Sequence, residues 1–559
     1  MEIFVRTDHQ ILKYEESNPC TILQFLDKHG LKIPPTPCGG KGICGKCSIR
    51  ISYGQCTEQV LSCKTMIQEG MIIFPETLAG EEAAILESGN CYIYPPDHNV
   101  ENESRLVIAC DIGTTTVVCH LLDRLSGKRL ATVSRPNAQK VFGADVISRI
   151  QASMEGKLEQ ECACIRGQLE EMKQELLSRT DVDKTSGGEY TIPARDADLS
   201  ENANKTPDDS ELLNQDMPVD WAIAGNTVMC HILAGIAPDS IGRAPYQPQT
   251  LFGNAWNLGE RFYIAPAVAG YVGGDIMADV LSTRMWKNKK PTLLLDIGTN
   301  GEMILALGEK LICCATAAGP AFEGAQIAMG MPACKGAISR VWYEKDANDK
   351  RRIQIRRIEG ESGTMLCRDQ SESGADDKEK SLGICGSGLI DAIAVFLELG
   401  IIDETGCFAE PEELEESLAK GFAEADEGMR FYLDDRVYIS QADIRQVQLA
   451  KAAIAAGIKV LLKEAKITEE DIDELLLAGG FGTFLNPGSA ARIGLIPQAL
   501  LDRTIAVGNA AGEGAVSAAI SQKARQDLAE IAGRTSYIEL SMHSDFSDYY
   551  MEEMYFPEV

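Results

Sequence analysis

The pattern of apolar and polar positions changes near residue 105. Before that point, Met1 to Val5 alternates as a strand, and Ile11 to Tyr14 can pair with it. Asn18-Pro19 opens a helix, with Asn as the N-cap, that stops at Gly30. Met71 to Phe74 supplies a late strand. The order of strand, strand, helix, loop and strand therefore predicts a small N-terminal domain.

After residue 105, buried strands that end in glycine turns alternate with helices, which predicts an α/β architecture. Residues 79–104 contain Pro95-Pro96 and a polar run at Asn102–Ser104, and we interpret them as a tether. The chain is therefore predicted to consist of a domain at 1–78, a linker at 79–104, a first lobe at 105–219 with a polar insertion, and a second lobe at 220–559.

Composition limits the partners and the location. The 559 residues include 53 basic and 83 acidic side chains, which give a net charge of −30. Nucleic acids and anionic membrane surfaces would repel such a chain, so both are excluded as partners. The N-terminus has no basic start followed by an apolar run, and no apolar stretch approaches 18 residues. We therefore predict a cytoplasmic protein with neither a signal peptide nor a membrane span. Most of the 18 cysteines lie in apolar patterns and are interpreted as buried free thiols.

Closely spaced cysteines form the first candidate chemical site. Cys38, Cys44 and Cys47 follow the spacing C-x5-C-x2-C in a loop that contains several glycines. Three thiolates on one tight loop and a fourth on a following strand suit a 2Fe-2S cluster. The fourth ligand is Cys63 or Cys56, and the apolar residues before Cys63 favour that position. The alternative is a four-thiolate zinc site, but such sites usually combine two C-x2-C pairs and only one is present.

Two later segments share another pattern. The strands Leu106–Cys110 and Leu293–Leu295 both run into Asp-Ile-Gly-Thr, at Asp111 and at Asp296. Each copy places a carboxylate at a strand end, followed by a glycine turn whose N–H groups and hydroxyls can hold phosphate oxygens. The aspartates can hold Mg²⁺ and orient an attacking water, and Glu302 is a candidate base. The candidate phosphate-binding residues are Gly113, Thr114, Thr115, Gly298, Thr299, Asn300 and Gly301.

Three further glycine segments have two interpretations. An apolar strand ends at the turn Gly479-Gly480-Phe481. Gly319 lies in a loop after the second hairpin, and Gly386-Ser387-Gly388 opens a helix. These last two segments either direct amides at a nucleotide or only permit tight helix–strand packing. Lys451 precedes the Gly479 turn and is interpreted as an exposed lysine.

Paired hairpins about 185 residues apart, with a glycine turn about 180 residues further on, resemble the actin, sugar kinase and acetate kinase superfamily. The resemblance implies two ribonuclease H-like lobes with ATP between them and adenosine against Gly479, Gly480 and Phe481. The N-terminal cysteine loop resembles that of plant-type ferredoxins in their adrenodoxin-like variant. That resemblance implies a β-grasp domain.

This domain order resembles the reductive activators of corrinoid proteins. The segments Asn137–Gln139, Gly273–Asp275, Gly319–Gly324 and Val507–Ala511 also fit that family. The resemblance implies one-electron reduction of Co(II) to Co(I) through the 2Fe-2S cluster, driven by ATP with Mg²⁺. The implied partners are a corrinoid protein of a methyltransferase system and a reductase that donates electrons. Which pathway is served, and whether the chain forms a homodimer, stay open.

Three other functions compete with this one. Activators of 2-hydroxyacyl-CoA dehydratases share the ATPase fold but lack a ferredoxin head, so the cysteines between residues 38 and 63 argue against them. A small-molecule kinase with a redox domain would need an acceptor-activating carboxylate that the sequence does not identify. A docking protein whose cluster only senses redox state would show no ATP turnover stimulated by a corrinoid protein.

Overall fold

We describe the fold from a computed structural model of the chain. The structure describes residues 2–6, 11–16, 19–29, 31, 47–53, 56–74, 88–89, 91–97, 103–182, 219–317, 319–324, 326–345, 350–359, 366–369, 381–425 and 428–558.

The N-terminal domain is a five-stranded sheet with one helix packed on it. The strands are β1 (Glu2–Arg6), β2 (Ile11–Glu15), β3 (Ser48–Tyr53), β4 (Cys56–Leu61) and β5 (Ile72–Phe74), in the order β2-β1-β5-β3-β4. Helix α1 (Ile22–Lys28) buries Ile22, Phe25 and Leu26 against Ile3, Val5, Ile49, Ile51 and Ile73. The predicted strands and helix are therefore present.

The N-cap of helix α1 was predicted incorrectly. The helix begins at Ile22 rather than at Pro19, and Thr21 is its N-cap. Thr21 and Gln24 form a reciprocal capping box, which satisfies two backbone N–H groups at once. This pair starts the helix three residues later than the Asn18-Pro19 signal predicts.

The predicted linker at 79–104 is in part a packed element. Its residues 88–89 and 91–97, which we call the strap, lie against the second half of the chain. The Tyr92 N–H donates to Ser282 O at 2.9 Å, and the Asp97 N–H donates to Ile520 O at 3.0 Å. The Tyr94 hydroxyl is buried and donates to Asp527 at 2.7 Å. The interpretation of this part as a tether is therefore wrong, because the Tyr94 side chain is buried and its hydroxyl is bonded to Asp527.

The first lobe is a six-stranded sheet with helices on both faces. Its strands are β6 (Leu106–Ile112), β7 (Thr116–Asp123), β8 (Arg129–Pro136), β9 (Val219–Gly225), β10 (Asn254–Asn257) and β11 (Arg261–Ile264), in the order β10-β11-β9-β6-β7-β8. Its helices are α2 (Val146–Ala152), a π-helical turn (Ser153–Lys157), α3 (Leu158–Val182) and α4 (Thr227–Ala234).

The boundary between the lobes differs from the predicted one at 219/220. β9 pairs in parallel with β6 along its whole length, and β11 pairs with β9. Three strands after residue 218 therefore belong to the first lobe. Because a parallel neighbour arrives through a long crossover, its place in the sheet is not encoded by local alternation.

The second lobe repeats the same strand pattern. Its main sheet contains β12 (Thr292–Ile297), β13 (Gly301–Leu307), β14 (Lys310–Thr316), β22 (Glu474–Ala478), β23 (Thr504–Gly508) and β24 (Thr535–Tyr537), in the order β23-β22-β12-β13-β14-β24. In both lobes, three antiparallel strands are followed by a parallel neighbour on the first of them. This repetition agrees with the prediction of two related lobes.

Additional elements extend the second lobe. A four-stranded sheet has the order β17-β16-β15-β18 and contains β15 (Ala337–Lys345), β16 (Arg351–Glu359), β17 (Leu366–Asp369) and β18 (Gly383–Ile384). A three-stranded sheet contains β19 (Phe422–Ala425), β20 (Gly428–Tyr432) and β21 (Tyr438–Ser440). The remaining α-helices are α5 (Gly274–Thr283), α6 (Gly386–Glu398), α7 (Glu416–Ala419), α8 (Gln441–Ala465), α9 (Gly479–Phe484), α10 (Pro487–Arg492), α11 (Ala510–Ile520), α12 (Gln522–Arg534) and α13 (Phe546–Glu552).

Helices α5 and α11 join the two lobes through one apolar core. That core contains Val107 and Ala222 from the first sheet, Leu294 and Leu476 from the second, and residues of both helices. This shared core therefore holds the two sheets next to each other, on either side of a cleft. Within the described ranges, no helix combines the length and the apolar character needed to cross a bilayer.

Candidate functional site

The two Asp-Ile-Gly-Thr segments form tight β-hairpins at corresponding places in the two lobes. Gly113 N donates to Thr116 O at 2.9 Å in the first, and Gly298 N donates to Asn300 O at 2.9 Å in the second. Asp111 is the sixth residue of β6, and Asp296 occupies the matching position near the end of β12. Both carboxylates thus stand on central strands, next to a turn that presents hydroxyl groups.

The tips of the two hairpins meet across the cleft. The hydroxyl oxygens of Thr115 and Thr299 are 3.1 Å apart, although the residues are 184 positions apart in sequence. Both hydroxyls donate to the carboxylate of Glu323, each at 3.0 Å. The loop containing Gly319 delivers this carboxylate, since Gly319 has φ +76° and precedes the 3-10 turn Pro320–Glu323. The structure therefore brings the predicted phosphate residues together and adds Glu323 to them.

A group of carboxylates lies behind the hairpins. Burial, together with Asp275 and Asp296, raises the pKa of Asp111 to about 8. Burial and the charge of Asp275 raise the pKa of Asp296 to about 7. The pKa of Glu302 is well above its ordinary value for the same two reasons, with Asp296 contributing as well. Such crowding is relieved by a divalent cation, so the group suits a Mg²⁺ ion bound with a polyphosphate.

Two of these carboxylates were not predicted from the sequence. Asp275 and Asp279 are one turn apart on α5 and face the cleft together. Burial raises the pKa of Asp275 to about 6 and that of Asp279 well above its ordinary value. The signal that could have identified Asp275 is Gly273-Gly274-Asp275, in which two glycines lie at the start of a helix, whereas Asp279 has no such signal. Among the described residues, no three His, Cys, Asp or Glu side chains are close enough to hold a metal ion by themselves.

Buried polar side chains hold the first hairpin from behind. Arg149 donates to Thr114 O at 2.6 Å and to Gly143 O at 3.1 Å, and it has no exposed surface. Burial lowers the pKa of Arg149 to about 10, which leaves it charged at neutral pH. Asn137 donates to Gly113 O at 2.9 Å. These contacts occupy the carbonyl oxygens of Gly113 and Thr114 and hold the backbone of the turn in place.

The glycine turn after β22 lies directly beside Asp296. Gly479 has φ +79°, and a Cβ atom there would overlap the carboxylate of Asp296. Gly480 has open space around it. The ring of Phe481 stacks on Phe322, with centroids 5.2 Å apart and planes 8° apart. The third predicted segment therefore lies at the same cleft as the two hairpins.

We predict that Gly479→Ala lowers both stability and ATP turnover. A positive φ costs an alanine about 1–2 kcal/mol, and the methyl group would also displace Asp296. Turnover should fall at least tenfold when Mg²⁺ coordination is disturbed. Thermal unfolding and phosphate release measure the two effects. Gly480→Ala is the matched control for stability, because its backbone and surroundings accept a methyl group; an equal loss of stability in both variants would contradict the prediction.

Two other sequence interpretations are resolved by packing. A Cβ atom at Gly386 would overlap Phe322 O, and one at Gly388 would overlap Ile338 O, so these glycines permit tight helix–strand packing. Lys451 was predicted to be exposed, but it is completely buried and donates to Tyr555 O at 2.6 Å. Burial lowers its pKa to about 8. This lysine fastens the C-terminal segment to α8 and does not line the cleft.

In the N-terminal domain, Cys47 and Cys63 have their sulfur atoms 3.1 Å apart. Cys47 directly precedes β3, and Cys63 follows β4, which pairs with β3. Cys56 pairs with Tyr53 at the opposite end of this hairpin, about 20 Å from Cys47 along the strand. Cys38 and Cys44 lie outside the described residues. Two thiols side by side fit a metal–sulfur site and favour Cys63 over Cys56 as the fourth ligand.

Family models cover most of the chain. One, described as the C-terminal domain of RACo, the ASKHA domain, matches residues 290–559. A second, described as the RACo middle region, matches residues 106–194 and 208–288.

Individual proteins show the same similarity. The corrinoid activation enzyme RamQ of Eubacterium limosum is 28% identical over 607 aligned positions, which cover 92% of each chain. The [Co(II) methylated amine-specific corrinoid protein] reductase of Methanosarcina barkeri is 27% identical, over 54% of this chain and 53% of its own length. A solved structure named reductive activator for corrinoid, iron-sulfur protein is 27% identical with a TM-score of 0.63, and the match covers 100% of this chain and 98% of that one.

Proposed function

The chain belongs to the RACo family, and from this premise we propose that it uses ATP to reduce the inactive Co(II) state of a corrinoid protein to Co(I) by one electron. The observation that supports the proposal best is the pairing of Cys47 with Cys63 in a chain that also contains the two-hairpin cleft. A domain that carries electrons and a cleft that binds nucleotide, present in one protein, suit a one-electron reduction that is thermodynamically unfavourable.

We propose that the N-terminal sheet is a β-grasp domain in which Cys38, Cys44, Cys47 and Cys63 hold a 2Fe-2S cluster. When bound, such a cluster carries one electron at about −400 mV. Cys47 precedes β3 and Cys63 follows β4, so both lie at the same end of the hairpin. This arrangement supports the proposal that they are two of the four ligands. A cellular reductase supplies the electron, and the corrinoid protein receives it.

The electron transfer requires an input of free energy. For one electron, each 59 mV of unfavourable potential costs about 1.4 kcal/mol, so a gap of roughly 200 mV costs about 4.6 kcal/mol. Binding and hydrolysis of ATP can offset this cost if the nucleotide-bound lobes favour the complex that holds Co(I). The cleft between the lobes is therefore where the two processes are coupled.

Asp111 and Asp296 are the proposed Mg²⁺ ligands, and Thr114, Thr115, Thr299 and Asn300 the proposed phosphate ligands. Mg²⁺, when bound, neutralises the charge that develops on the phosphates. Glu302 is the proposed base, and Asn300 donates to it at 3.2 Å. Burial and the charges of Asp275 and Asp296 raise the pKa of Glu302, and a cation bound at this group would oppose that shift. The Gly479–Phe481 turn is the proposed adenosine site.

The contact of Thr115 and Thr299 with Glu323 leads to a prediction. A phosphate group would need the same two hydroxyls that now donate to this carboxylate. Glu323→Gln removes the negative charge that opposes the phosphate, so we expect Mg-ATP to bind roughly tenfold more tightly. Isothermal titration calorimetry measures this affinity. Glu309→Gln, on the exposed turn at the far end of the β13–β14 hairpin, is the control and should bind as the unmodified chain does. Weaker binding by Glu323→Gln would contradict the prediction.

The function itself is tested by mixing the reduced protein, Mg-ATP and a Co(II) corrinoid protein, and following the absorption band of Co(I). Co(I) should form only when ATP is present, and ATP turnover should rise with the corrinoid protein. Reduced protein without the paramagnetic signal of a binuclear iron centre would refute the proposal. Turnover stimulated instead by a sugar or a carboxylate would favour the kinase alternative.

A further inference from the structure

The strap connects the N-terminal domain to the lobes, and one end of it touches the turn between β23 and α11. Gly89 forms an antiparallel bridge with Gly508. The Gly89 N–H donates to the Glu513 carboxylate at 3.2 Å, and the Asn509 N–H donates to Ser88 O at 3.4 Å. The strap backbone and this turn therefore form a small two-stranded contact.

This contact depends on two glycines. A Cβ atom at Gly89 would lie 2.7 Å from Val507 O, and a Cβ atom at Gly508 would lie 2.7 Å from the Cα atom of Gly89. Gly508 also has φ +82°, a conformation that other residues rarely adopt. The two backbones approach so closely that any side chain would separate them.

Asn509 continues directly from this contact into the nucleotide site. Its side-chain oxygen accepts from Gly512 N at 2.8 Å, which caps helix α11. Helix α11 packs against β6, and the Asn509 side chain lies beside the carboxylate of Asp111, where it opposes the rise in the pKa of that group. Asn509 is therefore the one residue that lies between the strap and Asp111, which is a proposed Mg²⁺ ligand.

We propose that Asn509 is a positioning residue that couples the nucleotide site to the strap. Its side chain lies beside Asp111, and its backbone N–H holds Ser88 next to the bridge between Gly89 and Gly508. Binding of Mg²⁺ and nucleotide at Asp111 would shift the turn between β23 and α11 and pack the strap more tightly against it. This would change how the N-terminal domain is held. The inference rests on the nucleotide-binding part of the proposed function and extends it to the path by which ATP reaches the electron-carrying domain.

Hydrogen exchange with mass spectrometry on the full chain tests the proposal. The chain alone is compared with the chain in the presence of Mg-ADP, and with the chain in the presence of Mg²⁺ and a non-hydrolysable ATP analogue. Peptides covering the strap should exchange about tenfold more slowly with nucleotide, the change expected when one hydrogen bond becomes fully protected. Alkylation of Cys91, whose thiol donates to Val507 O at 3.5 Å, gives a second measurement and should slow in parallel.

Two variants separate the coupling from simple stabilisation. Asn509→Ser keeps a good N-cap residue but removes the amide group beside Asp111, so the unfolding midpoint should stay unchanged. The Mg²⁺ concentration needed for half-maximal nucleotide binding should rise about tenfold, and the strap should no longer respond. Gly89→Ala should free the strap while nucleotide binding persists. Gly533→Ala, on α12 with open space around it, is the matched control for a glycine-to-alanine change.

If Gly89→Ala folds poorly, Tyr94→Phe replaces it, since this variant removes only the bond from the tyrosine hydroxyl to Asp527. It should weaken protection of the strap while leaving its response to nucleotide present but smaller. A chain that binds Mg-nucleotide with unchanged strap exchange overturns this inference and leaves the proposed function standing. A chain that binds no Mg-nucleotide overturns both.

Discussion

The Asp296→Ala protein is expected to lose ATP-dependent activation almost completely while keeping the visible spectrum of the proposed iron-sulfur centre. Asp296 is one of two carboxylates proposed to hold Mg²⁺ at the phosphates. Removing such charge stabilisation costs about 3 kcal/mol or more, or roughly a hundredfold in rate. Formation of Co(I) and release of phosphate, measured on the same sample, check the prediction.

This variant should fold normally, which makes the loss of activity interpretable. Asp296 is crowded by Asp275 and its pKa is raised to about 7, so removing it relieves repulsion instead of breaking an ion pair. The matched control is Asp473→Ala, at the far end of the neighbouring strand, where Asp473 forms an exposed ion pair with Lys290. Such a pair contributes at most about 1 kcal/mol. Normal activation by the Asp296→Ala protein would remove the basis for the ATPase assignment.

The second large effect is expected at Cys63. Cys63→Ala should yield a protein without the 2Fe-2S cluster, because the sulfur 3.1 Å from that of Cys47 is lost. Iron and acid-labile sulfide content should drop to near zero, and electron transfer to the corrinoid protein should stop. Binding of Mg-ATP should be retained, since the nucleotide site is built by the two lobes.

Cys56→Ala is the matched control for Cys63. Cys56 begins β4 at the turn end of the hairpin, opposite to Cys47, so its loss should leave iron content and spectrum unchanged. The reverse result, with the cluster lost from Cys56→Ala and kept in Cys63→Ala, would assign the fourth ligand to Cys56. Zinc in place of iron in the purified protein would instead support the alternative metal site.

Several features of the fold and site could be predicted from local patterns. An apolar strand that ends in Asp-Ile-Gly-Thr encodes both its own burial and the turn that follows. Both copies form the predicted hairpins, and the turn at Gly479 lies beside Asp296. The α/β architecture and membership in the corrinoid-activator family are confirmed.

Other features depend on long-range packing and had no local signal. Glu323 is a single acidic residue in a glycine loop, and only the approach of two lobes places it between Thr115 and Thr299. Asp279 becomes part of the carboxylate group because α5 lies between the two sheets. Lys451 is buried because the C-terminal segment folds back over α8 and offers it a carbonyl group.

The bounds of the linker and of the first lobe were also decided by long-range packing and not by local sequence. A polar stretch with two prolines indicated a tether, yet Tyr94 is buried and bonds to Ser517 on α11 and to Asp527 on α12. The residues of β9 are buried along its whole length, and nothing in them indicates which sheet the strand joins. The sequence by itself determined the identity of the chemical groups and the turns that present them, because these follow from neighbouring residues. Tertiary structure alone decided which groups meet, because contacts between residues separated by a hundred or more positions depend on how sheets and helices pack.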